Sequence, residues 1–482
     1  MKKLFALLLV VVALLFIWGC TRGDGDKAED PYTGTFRVGY GRRDVTPSQA
    51  VPLAGYSNSQ FRYSKNFLNP VCVSAVAITD ENENTVIWLA MDNTKVENSL
   101  VEATRDGVSE ALGIDRTHIT VAASHSHSAV DIASTKDIYV TNEYIPFLRD
   151  SMIAACVEAY EDRLPAEMYV GSVETEGMNF VRQYLYEDRN GVTHAFSDNY
   201  GTATFNSTTR HETEADTTMH LLQFKREGGK DIVLANWRAH PHLTDGSTAT
   251  DLSSDYIGAF RDDMEMTLDC KFIYFQGASG NLNSGSRFES ETRTRELHAY
   301  SAILTEYATA GLKNNMTKVE DTTLQFKQYF YEAEYKKIDP ELLALATECR
   351  RTFDLTGDYT AAMAVVGDAD IHSVYHAGNF VTISKLTGTD SIEFDFFTFG
   401  NQVAVCVNPH ETFDTNSMWL EENSPFEHTF LFAYANQKKT YTPSVGAIDY
   451  GCYEADVTYW ERGTAEKEVQ TMVDILNSMI KK

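Results

Sequence analysis

Basic charge is scarce in this chain: 41 Lys and Arg stand against 69 Asp and Glu, a formal charge of −28 over 482 residues. That balance excludes the electrostatic footprint of a nucleic-acid binder and docking on anionic lipid through basic patches. Cysteine is sparse too. None of Cys20, Cys72, Cys156, Cys270, Cys349, Cys406 and Cys452 stands in a CxxC pair, which excludes zinc ribbons and thioredoxin-like redox sites. Wide separation and apolar neighbours predict buried free thiols for most of the six after Cys20. Also missing are a Pro/Gly/Ser-rich linker, a charge block and an internal repeat, so one large domain is expected. Gly277-Ala278-Ser279-Gly280 lacks the Lys of a phosphate loop and the spacing of a GxSxG elbow, and neither reading holds.

Hydrophobic residues, at 43%, are ample for an extended core. The runs Thr117–Ala123, Asp231–Trp237, Lys271–Phe275, Gln402–Val407 and His428–Tyr434 are almost continuously apolar, the pattern of strands buried on both faces. Further strands are expected near 35–40, 71–79, 85–91 and 318–333, and helices near 95–112, 141–161, 289–313 and 463–480. The fold class is therefore α/β, a mixed sheet covered by helices.

At the N-terminus, Met1-Lys2-Lys3 and the apolar stretch Leu4–Trp18 are too short and too poorly flanked for a spanning helix and read as a secretory signal. Gly19-Cys20 resembles a bacterial lipobox, in which Cys20 becomes the lipidated first residue. A plain cleaved signal and an anchor helix are the alternatives. The expected layout is a lipoprotein signal over 1–20, a flexible tether over 21–34 and the main domain over 35–482. The protein would then sit at the bacterial cell envelope, held to a membrane by its lipid.

Five polar constellations sit at the ends of apolar runs: Ser124-His125-Ser126-His127, His240-Pro241-His242, Gly277-Ala278-Ser279-Gly280-Asn281, Pro409-His410-Glu411 and Tyr441-Thr442-Pro443. Carboxyl ends of strands in an open α/β sheet lie along one edge, so such residues converge on one crevice. A catalytic zinc needs about three nitrogen or oxygen ligands and one position open to water. His125, His240, Glu411 and Tyr441 supply that set for one zinc per chain, although the donors also suit manganese or iron. Histidines two apart on an extended segment point to opposite faces; the loop-like stretch Ser124–Ala129 relaxes that objection without removing it, so His125 is expected as ligand and His127 as proton carrier. Plainer readings stand beside these. Glu411 can simply favour the positive end of a helix near 411–421 capped by Asn408 or Thr412, and Tyr441 can be a buried aromatic. Asp92 either orients His125 or His240 from behind or caps the next helix; Asp255 reads as a cap for the helix after His240.

Val38-Gly39-Tyr40-Gly41-Arg42-Arg43-Asp44-Val45-Thr46-Pro47, Pro52-Leu53-Ala54-Gly55-Tyr56 and above all Ser124-His125-Ser126-His127-Ser128, similar to SxTHTHSGP, resemble the neutral or alkaline non-lysosomal ceramidases. These are zinc amidases that cleave the N-acyl bond of ceramide. The resemblance covers about residues 35–482. It implies zinc ligation by His125, His240, Glu411 and Tyr441, a proton carrier at His127, a substrate-side Arg at Arg182 and a carbonyl-polarising Tyr at Tyr453. Tyr453 follows Tyr441 by twelve positions, as the family pattern leads one to expect. On the substrate side the loop Gly280-Asn281-Leu282-Asn283-Ser284-Gly285 puts Asn281 and Asn283 where the family has Gly-Asp-Val-Ser-Pro-Asn, so Asn283 replaces the ceramidase Ser. Ala129-Val130-Asp131 likewise replaces the glycines after the family's HTHS.

The resemblance thus implies a zinc amidohydrolase acting on ceramide or a related N-acyl lipid. The two departures keep open a different N-acyl or ester substrate. A surface lipoprotein that binds lipid or glycan on the same scaffold without turnover is the reading from outside enzymes.

Overall fold

Alternate side chains of Thr85–Met91 serve two different cores. Val86, Trp88 and Ala90 enter one apolar cluster and Ile87, Leu89 and Met91 another, as the period of two in a strand requires. A strand that is apolar on both faces needs a layer on each side. The computed structural model, which describes residues 31–56, 62–133, 136–198, 205–244, 248–285 and 292–481, supplies a second sheet on one side and helices on the other.

The first sheet contains β1 (Arg37–Asp44), β2 (Cys72–Thr79), β3 (Thr85–Met91), β4 (Ile119–Ala123), β5 (Leu164–Glu174), β6 (Thr218–Arg226), β7 (Ile232–Trp237) and β8 (Lys271–Gln276). Side by side they run β8-β7-β6-β5-β1-β2-β3-β4. The outer pairs β3–β4 and β7–β8 are parallel and the inner ones antiparallel. The second sheet is β9 (Leu324–Glu334), β10 (Thr389–Phe399), β11 (Val403–Val407) and β12 (His428–Phe432), in that order. Aromatic side chains fill the space between the sheets: Trp88 meets Phe397, Phe399 and Phe432 edge-on, and Phe275 stacks on Phe432 at 4.1 Å.

On the outer face of β1–β4 lie α1 (Asn98–Leu112) and α2 (Ile145–Glu161), and on that of β6–β8 lie α3 (Asp255–Leu268) and α4 (Leu297–Asn314). Between β9 and β10 the chain builds three helices, α5 (Pro340–Thr356), α6 (Tyr359–Val366) and α7 (Val374–Ile383), around a small core of their own. The outer face of the second sheet is covered by α8 (Asp414–Asn423) and α9 (Thr464–Met479).

The sheets are stitched together where their parallel strands end. Ala433 N donates to Gln276 O (2.9 Å), Ala123 N to Tyr434 O (3.1 Å) and Asn436 N to Val121 O (2.7 Å). The buried Asn236 amide donates across the gap to Phe275 O and Leu431 O, 3.0 Å each. These bonds draw the carboxyl ends of β4, β7, β8, β11 and β12 to one place.

The fold is the expected mixed α/β arrangement, but several local expectations need correction. Asp92 neither backs a histidine nor caps α1: it accepts the Cys72 N–H and pairs with Arg261 at 2.8 Å, while α1 starts after Glu97. Asp255, in a left-handed conformation (φ 57°), braces the loop after His242 by accepting from Leu243 N and Thr244 N. Glu411 is off the helix, because α8 begins at Asp414 and Glu411–Thr412 pairs as a short strand with Tyr441–Thr442. The six cysteines after Cys20 are all free. Cys20, the signal over 1–20 and the tether up to residue 30 lie outside the described residues. The last tether residues are tied to the body, with Gly34 N donating to Glu83 Oε1 at 2.8 Å. Among the described residues, no helix is long and apolar enough to cross a membrane.

Candidate metal centre

β4 stops at Ala123, and His125 then adopts a left-handed backbone (φ 66°), uncommon for a residue with a side chain. The turn breaks the alternation of a strand. His125 and His127 therefore face the same way, with their Nε2 atoms 3.2 Å apart, and the expectation that they diverge is corrected. The loop after β7 joins them, since His127 N donates to Pro241 O at 3.1 Å. Gly55 makes room: a Cβ there would fall 2.6 Å from the His127 ring.

Backbone carbonyls fix the tautomers. His125 Nδ1 lies 2.7 Å from Thr94 O, and His240 Nδ1 lies 2.7 Å from Ser279 O and 3.1 Å from Leu282 O. A carbonyl only accepts, so each Nδ1 carries the proton and each Nε2 offers a bare lone pair inward. Glu411 arrives from the end of β11, its Oε2 3.3 Å from His125 Nε2 and 3.6 Å from His240 Nε2. Both His240 Nε2 and Glu411 Oε2 are buried without a hydrogen-bond donor. Three lone-pair atoms thus face one another in a dry place, an arrangement that repels unless a cation lies between them.

The charges agree with that donor set. Burial pushes the Glu411 carboxyl up, but Lys95, whose ammonium is 2.6 Å from Oε1, and the two imidazoles outweigh it and hold the group well below the usual carboxylate range. Burial pushes both His127 and His240 well below the ordinary histidine value, helped by the crowded histidines at His127 and by Arg182 at His240. Neutral imidazoles and an ionised carboxylate are the ligating forms.

A second tier of expected residues adjoins the cluster. Tyr441 pairs in register with Glu411, and its hydroxyl receives a bond from Arg182 Nη2 at 3.3 Å. Arg182, fully buried, is neutralised by Glu454, with Nη2 2.5 Å from Oε1, and its Nη1 donates to Asn283 Oδ1 at 3.3 Å. Asn283 also touches His242 (2.9 Å) and donates to Asp198 (2.8 Å). Tyr453, on the short helix Tyr453–Val457, meets Tyr441 edge-on at 5.9 Å. Asn281 is turned elsewhere: its amide donates to Asp414 Oδ1 (2.7 Å) and its oxygen accepts the Asp414 N–H (2.9 Å).

Residues to which the sequence reading assigned no role at the site, Ser279 of the glycine-rich constellation among them, complete the picture. Tyr434 stacks on His125, Thr94 and Ser279 orient the histidines through carbonyls, Lys95 neutralises Glu411 and Glu454 neutralises Arg182. Carbonyl partners leave no mark on residue type. Lys95, three residues past Asp92 at the end of β3, sits at the same sheet edge as the histidines and was open to notice.

An α/β fold with buried histidines and a carboxylate at its strand ends, able to hold a metal ion, is the class these observations define. No family model and no curated protein sequence matches the chain. Among solved structures it is similar to the neutral ceramidase from Pseudomonas aeruginosa, with a TM-score of 0.66 and 15% identity over 92% of this chain and 74% of that one. It is equally similar to a ceramidase complexed with C2, again with a TM-score of 0.66 and 15% identity, over 92% and 75% of the two chains. The fold is that of the neutral ceramidases, the family its motifs resemble.

Proposed function

We propose that the protein is a zinc-dependent amidohydrolase that cleaves the N-acyl bond of ceramide or a related N-acyl lipid into a fatty acid and a sphingoid base. The observation that carries this reading is the meeting of His125 Nε2, His240 Nε2 and Glu411 Oε2 in a buried site, the last two without a hydrogen-bond donor. Those residues would hold one zinc, and the pairing of Tyr441 with Glu411 supports the phenol as a further donor. When bound, zinc polarises the scissile carbonyl and lowers the pKa of a water toward about 7.

The chain's own groups do the rest. His127, held neutral by burial, accepts a proton at Nε2 and returns it to the leaving amine. Tyr453 donates its phenolic proton in a hydrogen bond to the developing oxyanion, a contact typically worth about 3 kcal/mol. Arg182 orients Tyr441 and faces the substrate side through Asn283. The commitment of Asn283 to His242 and Asp198 favours a second reading within the same chemistry, in which the N-acyl substrate is not ceramide. Envelope location through a lipid on Cys20 belongs to this proposal, because it would set the site beside its lipid.

Hydrolysis of a fluorescent short-chain ceramide by the purified protein, with chelator and with restored zinc, tests the reading. Chelator-sensitive release of fatty acid is expected, lost in His240→Ala together with bound zinc. Turnover that persists in the zinc-free variant would sink it. Zinc binding without release would move the search to other N-acyl compounds.

A further inference from the structure

Among the described residues one other group can take a metal: His372, His376 and Asp456, whose ligand atoms lie within 4.8 Å of one another. His372 immediately precedes Ser373, the N-cap of α7, and His376 lies in the first turn. The four-residue spacing brings their rings to one side, with centroids 5.4 Å apart. Asp456 comes from a different part of the chain, the short helix Tyr453–Val457. Its Oδ2 is 2.8 Å from His372 Nδ1 and 3.3 Å from His376 Nδ1. Atoms ligating a tetrahedral zinc at about 2.1 Å stand roughly 3.4 Å apart, so the spacing is of the right size.

The surroundings prepare both imidazoles to ligate through Nδ1. His372 Nε2 lies 2.9 Å from Asp370 Oδ1, a carboxylate–histidine contact that would keep the proton on the remote nitrogen once an ion takes the place of the hydrogen bond between Nδ1 and Asp456. His376 Nδ1 accepts the His372 backbone N–H at 3.3 Å, so it is the unprotonated nitrogen, and ligation would exchange this long bond for the ion. Two imidazole nitrogens and a carboxylate oxygen are thus gathered within 4.8 Å of one another. His376 and Asp456 are buried while the His372 side chain is 41% exposed, so the group is rigid on two sides and open to water on the third.

We propose that His372, His376 and Asp456 form a second site for a divalent transition-metal ion, with zinc as the first choice and water completing the coordination. Lys336 Nζ, which donates to Ala455 O (3.0 Å) and Asp456 O (3.3 Å), sets a positive charge beside the ion, so this is the weaker of the two sites. Asp456 stands three residues after Tyr453 and two after Glu454, the partner of Arg182. An ion here pins α7 to the short helix that carries both. That consequence rests on the hydrolase reading; the site itself does not.

Metal-stripped full-length protein, titrated with zinc alone and counted by elemental analysis after desalting, decides the matter. Wild type should hold two ions per chain, His372→Gln and His240→Ala one each, and the double variant none. His372→Gln changes a half-exposed side chain, so its fold, checked by circular dichroism, should persist; Asp456→Asn gives an independent loss of the same ion. In His240→Ala, which keeps only the second site, adding Lys336→Met should tighten zinc several-fold. One ion in wild type that His372→Gln leaves in place would overturn the site. Two ions bound with no hydrolysis of ceramide or of any other N-acyl compound tried would leave it standing and overturn the hydrolase reading instead.

Discussion

The phenol ring of Tyr434 lies nearly parallel to the His125 imidazole, with centroids 4.1 Å apart and 26° between the planes. Its hydroxyl shares a 2.8 Å bond with Ser279 Oγ, and the carbonyl of that same serine holds His240 Nδ1. One side chain thus backs both histidines. Outer partners of metal ligands are typically worth about 10–100-fold in affinity. Tyr434→Leu should weaken zinc binding by that much, whereas Tyr434→Phe, which keeps the stack, should lose less than tenfold. Competition against a fluorescent chelator measures both; equal losses would show that the stack does not matter.

Zinc should also stabilise the fold, because the three acceptors converge only in the folded chain. At a thousandfold excess over its dissociation constant a ligand adds about 4 kcal/mol. Thermal melts of metal-stripped protein should rise with added zinc, and Glu411→Gln, which lacks the anionic ligand, should lose most of the increase. A rise of the same size in that variant would place the responsible ion elsewhere.

The convergence of the histidines and Glu411 was legible because each follows an apolar run that the sheet topology aligns, as with His125 after β4 and His240 after β7. What failed was local geometry. Extended-strand periodicity sent His125 and His127 to opposite faces, and a single left-handed residue reversed that. Helices α5–α7 escaped notice although Asp339-Pro340-Glu341 carries a start signal, an N-cap Asp that accepts from Glu341 N and Leu342 N with proline in the first turn. Their core is small and their faces mostly exposed, so the apolar periodicity is weak. The second sheet was not separated from the single mixed sheet expected, because apolar content on both faces does not say whether a helix or another sheet covers it.

Buried charge at the second tier makes Glu454 sensitive. Arg182 and Glu454 are both 1% exposed, and removing one member of such a pair costs about 3–5 kcal/mol, because the other is left buried and uncompensated. Glu454→Ala should therefore lose stability on that scale in denaturant melts. Adding Arg182→Met should restore most of it while leaving activity absent. A single variant as stable as wild type would mean that water reaches the guanidinium.

Stability against pH should report Glu212. Burial first, then the nearby Asp414 and Glu454 carboxylates, raises its carboxyl from an ordinary 4.5 to about 7. The folded state then holds the proton more tightly than the unfolded one, so its contribution is fully present below about pH 4.5 and is lost as pH rises toward 7. Above that the ionised, poorly solvated carboxylate is a constant cost. Glu212→Gln, which removes the charge and keeps the shape, should be more stable than wild type at pH 8 by on the order of 1–2 kcal/mol. The gain should shrink through pH 6 and vanish near pH 4.5. A difference that does not change with pH would assign the effect to packing and not to ionisation.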